Sequence, residues 1–394
     1  MRVAIVAEHA SPLAVLGAGG AGGQHVYIAG LATALARRGH EVDVYTRRDA
    51  WQLPARRVLA PGVTVVHVTA GAARPASGEE RSQAVPAFAR RLIRDWSEGP
   101  RPDVVHAHRW RSGAAAVIAA RAVGVPVVQT FHGLSNTGNG SCPPQQAPTE
   151  ADLLQAADHV VATRVDEVPE LLDRGLPNED LTLATGGVDT ERFAPEGETW
   201  PRGPRRRLLY LGQLAEHKGI DTVVKALPDL PDAELLIAGG PPAAGVRIDG
   251  EAQRLTRLAT DLDVGGRVQL TGTVKHEAVP ALLRSADVVV STPRHQPARL
   301  APLEAMSCAR PIVCTELNGT SDVEDGTTGL IVRRDDPGAV GVAVRRILED
   351  AGLADRFGAA GRRIASEYDW KQVAARVEDA YRAATGDRAV AQAG

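Results

Sequence analysis

Short runs of β-branched and aliphatic residues alternate with longer stretches of helical period along the first half of the chain. Residues 3–7, 41–45, 63–67, 103–106, 126–130 and 159–162 read as strands. Between the first two, Val26, Ala29, Ala32, Leu35 and Ala36 recur at helical spacing, and Arg37-Arg38-Gly39 supplies a cationic last turn and a glycine stop. A second series of strand-like runs follows at 207–211, 234–238, 268–271, 286–290 and 311–314, again separated by helical stretches, and residues from 339 to about 384 are helical. Strands that alternate with helices make βαβ units, so the pattern predicts two doubly wound α/β domains of Rossmann type.

A Pro/Gly/charge-rich passage at 196–204 separates the two series and predicts an exposed linker. The expected organisation is an N-terminal domain over 1–195, a C-terminal domain over 205–370, and a last helix over 371–394. Open parallel sheets bind ligands beyond the carboxyl ends of their strands, so two such domains are expected to face each other across a ligand-binding cleft.

The 394 residues include 44% hydrophobic and 24% charged positions, enough to bury a large core without staples. Lys+Arg 45 against Asp+Glu 48 leaves a net charge of -3, which gives no general field for nucleic acid or anionic lipid. Any anion must be bound locally. The three cysteines, Cys142, Cys308 and Cys314, form no CxxC pair and no disulfide framework. The apolar stretch 114–128 is broken by Arg121 and Pro126, and the first apolar run meets Glu8 too early for a secretory signal. The expectation is a cytoplasmic protein with no membrane and no nucleic-acid partner.

The candidate chemistry sits where strands end. Gly17-Ala-Gly19-Gly20-Ala-Gly22-Gly23 contains a formal GxGxxG, but it lies about nine residues beyond its strand, and no acid ends the second strand. NAD is therefore disfavoured, while a phosphate at the start of the following helix is not. His106, His108 and His132 end predicted strands; without a third ligand nearby they predict no metal, and for His132 a substrate contact and a core role stay equally open. Asp261-Leu-Asp263 reads as a solvated helix end, and Asp325-Gly326 and Thr328-Gly329 as turn chemistry. Two stretches are more telling. In Tyr210-Leu-Gly212-Gln213-Leu-Ala-Glu-His-Lys218-Gly219 a lysine follows a strand that ends in glycine. From Ser291 to Cys308 a strand passes through Arg294, Gln296 and Arg299 into a helix carrying Pro302. Lysine, arginines and helix amides converging there predict an anion-binding wall.

These residues, with Gly22-Gly23-Gln24-His-Val-Tyr27, Pro102-Asp-Val-Val-His-Ala-His108, Gly187-Val-Asp-Thr-Glu-Arg-Phe193, Ala238-Gly-Gly-Pro241, Pro302-Leu-Glu-Ala-Met306 and Glu324-Asp-Gly-x-Thr-Gly329, resemble the retaining family 4 glycosyltransferases of GT-B fold. The likeness is to the branch of the mycothiol-type inositol-phosphate N-acetylglucosaminyltransferase and sucrose-phosphate synthase. The resemblance implies a UDP- or GDP-linked sugar as co-substrate, no resident cofactor and no metal. It implies that Glu304 meets the ribose, Lys218 and the Gly22-Gly23 amides the phosphates, His132 the donor sugar, and the main chain near Val274-Lys275 the base, with Leu300 in the same donor set. His108, Trp110, Arg111, Asn136 and Asn139 are expected to line the site of a small polar acceptor: a cyclitol, an amino sugar or a small thiol. A homodimer is carried as an expectation.

The chain departs from the family pattern in the donor site. Gln296 stands where the first of two glutamates is usual, Gln213 where an arginine is usual, and Ala298-Arg299 where Phe-Gly is usual. Gln296 keeps the shape of a carboxylate but gains N–H donors, which predicts an unusual donor sugar of the kind used in specialised antibiotic pathways. Arg294 or Arg299 is expected to replace the cation lost at Gln213. The alternative is a pseudo-glycosyltransferase that keeps the fold as a binding or partner protein.

Overall fold

The computed structural model describes residues 1–13, 23–135, 143–294, 300–315 and 323–386. Of these, one compact unit holds Met1–Leu13, His25–Gly186 and Trp370–Gly386, and the other Gly23–Gln24 and Gly187–Asp369. The boundary thus lies nearer the N-terminus than the Pro/Gly-rich passage suggested. That passage is docked on the second unit: the Trp200 amide donates to the Ala281 carbonyl at 2.9 Å, and Arg202 pairs with Asp287 at 2.8 Å.

The strands of the first unit are β1 (Arg2–Val6), β2 (Glu41–Arg47), β3 (Arg56–Ala60), β4 (Val63–Val68), β5 (Val104–His108), β6 (Val127–Thr130), β7 (His159–Ala162) and β8 (Leu181–Leu183). They pair in the order β3-β4-β2-β1-β5-β6-β7-β8, parallel except for the edge strand β3. Its helices are α1 (Gly23–Arg37), α2 (Gly78–Glu98), α3 (Trp110–Val123), α4 (Gln146–Ala156) and α5 (Glu167–Asp173). The central strands are buried along almost their whole length, which is why they read as unbroken apolar runs. A capping box starts α2: Ser77 Oγ accepts from the Glu80 amide at 3.2 Å, and the Glu80 carboxylate accepts from the Ser77 amide at 2.7 Å.

The second unit carries β9 (Arg206–Leu211), β10 (Ala233–Ala238), β11 (Val268–Gly272), β12 (Val288–Ser291), β13 (Ile312–Thr315) and β14 (Gly329–Val332), in the parallel order β11-β10-β9-β12-β13-β14. Around it lie α6 (Ile220–Ala226), α7 (Gly250–Asp261), α8 (Val279–Ser285), α9 (Leu300–Ser307), α10 (Pro337–Glu349) and α11 (Ala351–Glu367). Asp261 and Asp263 are exposed at the end of α7, and the Asp325–Gly329 stretch is a turn closed by a bridge between those two residues. Among the described residues no helix is long and apolar enough to cross a membrane.

The last helix, α12 (Trp370–Ala384), returns to the first unit. It packs beside α1, where Gly30 makes the approach: a Cβ there would lie 2.3 Å from the Trp370 indole. Tyr381, Val373 and Val377 of this helix are wholly buried in the core with Ile28, Leu31 and Leu35.

Candidate functional site

In the second unit the turns after β9 and β12 are tied to each other. Gly219 holds φ +66, and its carbonyl accepts from Thr292 Oγ1 at 2.8 Å, while the Arg294 amide donates to the His217 carbonyl at 2.8 Å. A Cβ on Gly219 would stand 2.0 Å from the Thr292 carbonyl oxygen, so only glycine closes this turn. Lys218 is thereby fixed beyond the carboxyl end of β9. Its side chain is half-buried, no carboxylate pairs with it among the described residues, and burial pulls its ammonium below the ordinary lysine range. A desolvated cation without a counter-ion is an anion-binding group in waiting.

Replacing Gly219 by alanine is expected to cost about 1–3 kcal/mol of stability through forced left-handed backbone and to lower turnover about tenfold as Lys218 shifts. Melting temperature and single-turnover rates check it; a variant with native values of both would show that the turn tolerates a Cβ.

Glu304 lies on α9, 2% exposed. Its Oε1 meets His276 Nε2 at 2.6 Å, which brings α9 against the turn that carries Val274 and Lys275. His276 itself packs against Phe193, ring centroids 5.4 Å apart. Nothing in the linear sequence singled His276 out: its partner is 28 residues away, and only the packing of two connections beside each other joins them. Val274 is half-buried against the core, Lys275 is exposed, Leu300 opens α9, and Gln213 accepts from the Tyr210 hydroxyl through its carbonyl at 3.0 Å.

In the first unit β5 continues through His108, so His106 and His108 share a face, ring centroids 4.3 Å apart. His106 is held by the Tyr381 hydroxyl at 2.8 Å and Thr130 Oγ1 at 2.9 Å; His108 Nδ1 meets His132 Nε2 at 2.9 Å. Burial pushes the His106 imidazole down to about 3 and those of His108 and His132 well below the ordinary range, so all three are neutral at pH 7. Arg109 (φ +68) and His132 (φ +57) both hold left-handed backbone directly after β5 and β6. Strained non-glycine residues at the carboxyl ends of adjacent parallel strands mark a functional edge.

Three expected site residues are placed otherwise. Arg294 is not a free cation for the donor: it pairs with Asp335 at 2.7 Å and Asp221 at 3.0 Å and donates to the Glu216 carbonyl, so it braces the Lys218 turn from behind. Trp110 is 7% exposed in the core, with the Arg111 guanidinium 4.3 Å above its ring, and His108 is wholly buried. Trp110 opens α3 packed into the core, and β5 is covered on both faces, so His108 is buried with the rest of the strand. Gly23 opens α1 and is exposed. The expectations placed on Gly22, Asn136, Asn139, Gln296 and Arg299 fall outside the described residues.

With this geometry in hand, comparison with known proteins places the chain. Residues 21–192 match the family model described as Glycosyltransferase Family 4, and residues 198–364 match Glycosyl transferases group 1. The D-inositol 3-phosphate glycosyltransferase of Acidothermus cellulolyticus is 33% identical, over 99% of this chain and 92% of its own length. Sucrose-phosphate synthase from Thermosynechococcus elongatus superimposes with a TM-score of 0.85 at 25% identity, covering 97% of this chain and 98% of its own. Anabaena HepE, solved in complex with UDP and glucose, shares the fold with a TM-score of 0.71 at 17% identity, covering 96% and 98%. The chain is a glycosyltransferase of GT-B architecture. It belongs to the retaining family 4 enzymes, in the branch of the inositol-phosphate glycosyltransferases and sucrose-phosphate synthase.

Proposed function

We propose that the enzyme moves a sugar from a nucleotide-diphosphate donor, held by the second unit, to a small polar acceptor held by the first. The observation that carries this reading is the half-buried Lys218 ammonium beyond β9, which has no carboxylate partner among the described residues. As the glycosidic bond breaks, negative charge collects on the departing diphosphate. A fixed cation already stripped of water binds that charge more tightly in the transition state than in the ground state. Glu304, held by His276, accepts from the ribose hydroxyls; the main chain at Val274-Lys275 meets the base, and His132 the donor sugar. The reaction draws on Lys218 and main-chain amides rather than on a metal. HepE binds UDP, which supports a uridine nucleotide as the first donor to test.

Relatives named for D-inositol 3-phosphate support a phosphorylated cyclitol as acceptor. Arg109 and Arg111, at the start of α3, supply the positive charge that such a phosphate needs. The departures at Gln213, Gln296 and Ala298-Arg299 support a donor sugar other than the common hexoses, as specialised antibiotic or thiol pathways use.

Thermal melting across UDP, GDP, ADP and their sugar conjugates tests the donor. A true donor at about 100 times its dissociation constant adds about 2.7 kcal/mol, so one nucleotide series is expected to stand several degrees above the rest. No shift with any member would remove the donor site.

A further inference from the structure

The histidines at the carboxyl ends of β5 and β6 carry more information than their charge. His108 and His132 are joined by one hydrogen bond, Nδ1 to Nε2 at 2.9 Å. Their ring centroids lie 5.1 Å apart with 24° between the planes. The rings therefore stand edge to edge and nearly coplanar, the arrangement in which an N–H points along its partner's lone pair. Neighbouring rings hold the pair in place: Tyr27 crosses both at steep angles, 64° to His108 and 84° to His132, and His106 packs 4.3 Å from His108. His106 is fixed in turn by Tyr381 and Thr130. Side chains packed this closely keep one orientation.

The two remaining ring nitrogens differ. His108 Nε2 is buried and has no hydrogen-bond partner among the described residues. His132 is half-buried; its Nδ1 meets no partner among the described residues either, but unlike His108 Nε2 it is not shut off from solvent. Burial keeps both rings neutral, so each carries a single ring proton. Two arrangements satisfy the bond between them. If His132 Nε2–H donates to His108 Nδ1, the His108 proton sits on Nε2 as a buried N–H without an acceptor. If His108 Nδ1–H donates, His108 Nε2 keeps only a bare lone pair and the His132 proton sits on Nδ1. A buried N–H without an acceptor is the rarer defect in folded proteins, so the second arrangement is the stable one.

We propose that His108 is a positioning residue that fixes His132 as its Nδ1–H tautomer, so that the end of β6 presents a hydrogen-bond donor to the substrate. The inference rests on the reading of His132 as a contact of the donor sugar, and it specifies that contact: the imidazole donates to a sugar oxygen. It also removes His132 as a general base. The nitrogen open to substrate already holds its proton, and the other is occupied by His108.

The test begins with the native full chain carrying isotope-labelled histidine, the His132 signals being those lost in His132→Gln. Proton–nitrogen correlation spectra at pH 7 without ligand should show a protonated Nδ1 and a bare Nε2 on His132. A protonated Nε2 on His132 overturns the proposal whatever the activity. In His108→Leu the His132 signals should become those of mixed tautomers, while His108→Asn, whose amide donates from the place of the Nδ1–H, should keep the native form. A single unchanged form in the leucine variant would show that His108 does not set it, which also overturns the proposal. With UDP-glucose and D-inositol 3-phosphate as probes, His108→Leu is expected to lower kcat about tenfold, with KM for the cyclitol phosphate and the thermal shift by UDP unchanged, and His108→Asn to recover most of the loss. Equal kcat in all three chains, or equal loss in both variants, makes His108 a packing residue and overturns its role. A native chain with the expected tautomer that gains no thermal stability from any nucleotide or nucleotide sugar overturns the donor-site reading instead, and the sugar contact with it.

Discussion

Replacing Lys218 by alanine lowers kcat about 10²–10³-fold while the protein melts no lower than the native chain. The two halves of this result come from one fact. The ammonium is half-buried and has no carboxylate partner among the described residues, so it contributes little to folding and carries a desolvation cost. Its value appears only when a diphosphate arrives and its charge grows. Binding of a bare nucleoside diphosphate should weaken as well, since the cation also meets the ground-state diphosphate; binding of the nucleoside alone should not change. Steady-state kinetics with isothermal titration of diphosphate and nucleoside separates these terms. A variant with native turnover would eliminate Lys218 from the reaction, and one that melts far lower would make it a structural residue.

Acidification from pH 7 to pH 5 destabilises the first unit by at least about 2 kcal/mol and leaves the second nearly unmoved. His106, His108 and His132 are neutral in the folded state because burial depresses all three. In the unfolded chain they titrate near 6.5. Between the depressed folded values and 6.5 the unfolded state binds more protons, so stability is full above about pH 7 and is lost as the pH falls. At 1.36 kcal/mol per unit, the His106 imidazole alone gives up about 2 kcal/mol by pH 5, and His108 and His132 add to the loss in the same direction. The raised carboxyls of Glu8 and Glu167 act in the opposite direction, since they take up protons more readily in the folded state, and they trim the sum. Among the described histidines of the second unit, His217 is exposed and His276 half-buried, and the buried imidazole cluster lies in the first unit alone. Scanning calorimetry at the two pH values resolves it: the transition that contains the first unit should move alone, and equal shifts in both units would contradict the assignment.

The Arg294 result shows why a motif does not reveal a residue's job. Its place after β12 made it a candidate for the anion-binding wall, but three acceptors from separate elements, Asp221, Asp335 and the Glu216 carbonyl, converge on it. All three are more than 40 residues away, beyond any local pattern. Glu304 has the opposite history: its motif marked it, and the fold added His276, which no spacing could have paired with it. Glu8 was read only as the end of an apolar run, because a lone acid in a sequence says nothing of whether it will be buried.

The chain's order of residues alone determined the alternation of strands and helices, the two α/β halves and the glycine and lysine turn beyond β9, because period, β-branching and glycine stops act over a few residues. The strands β3 and β8 escaped it; each lies at an edge of its sheet and owes its form to one neighbouring strand. Tertiary structure decided which charges are paired and which are left without partners. Arg294 was neutralised by distant carboxylates, while Lys218 was desolvated and meets no carboxylate among the described residues, and that difference rests on burial and long-range pairing, which arise only when remote segments are packed together.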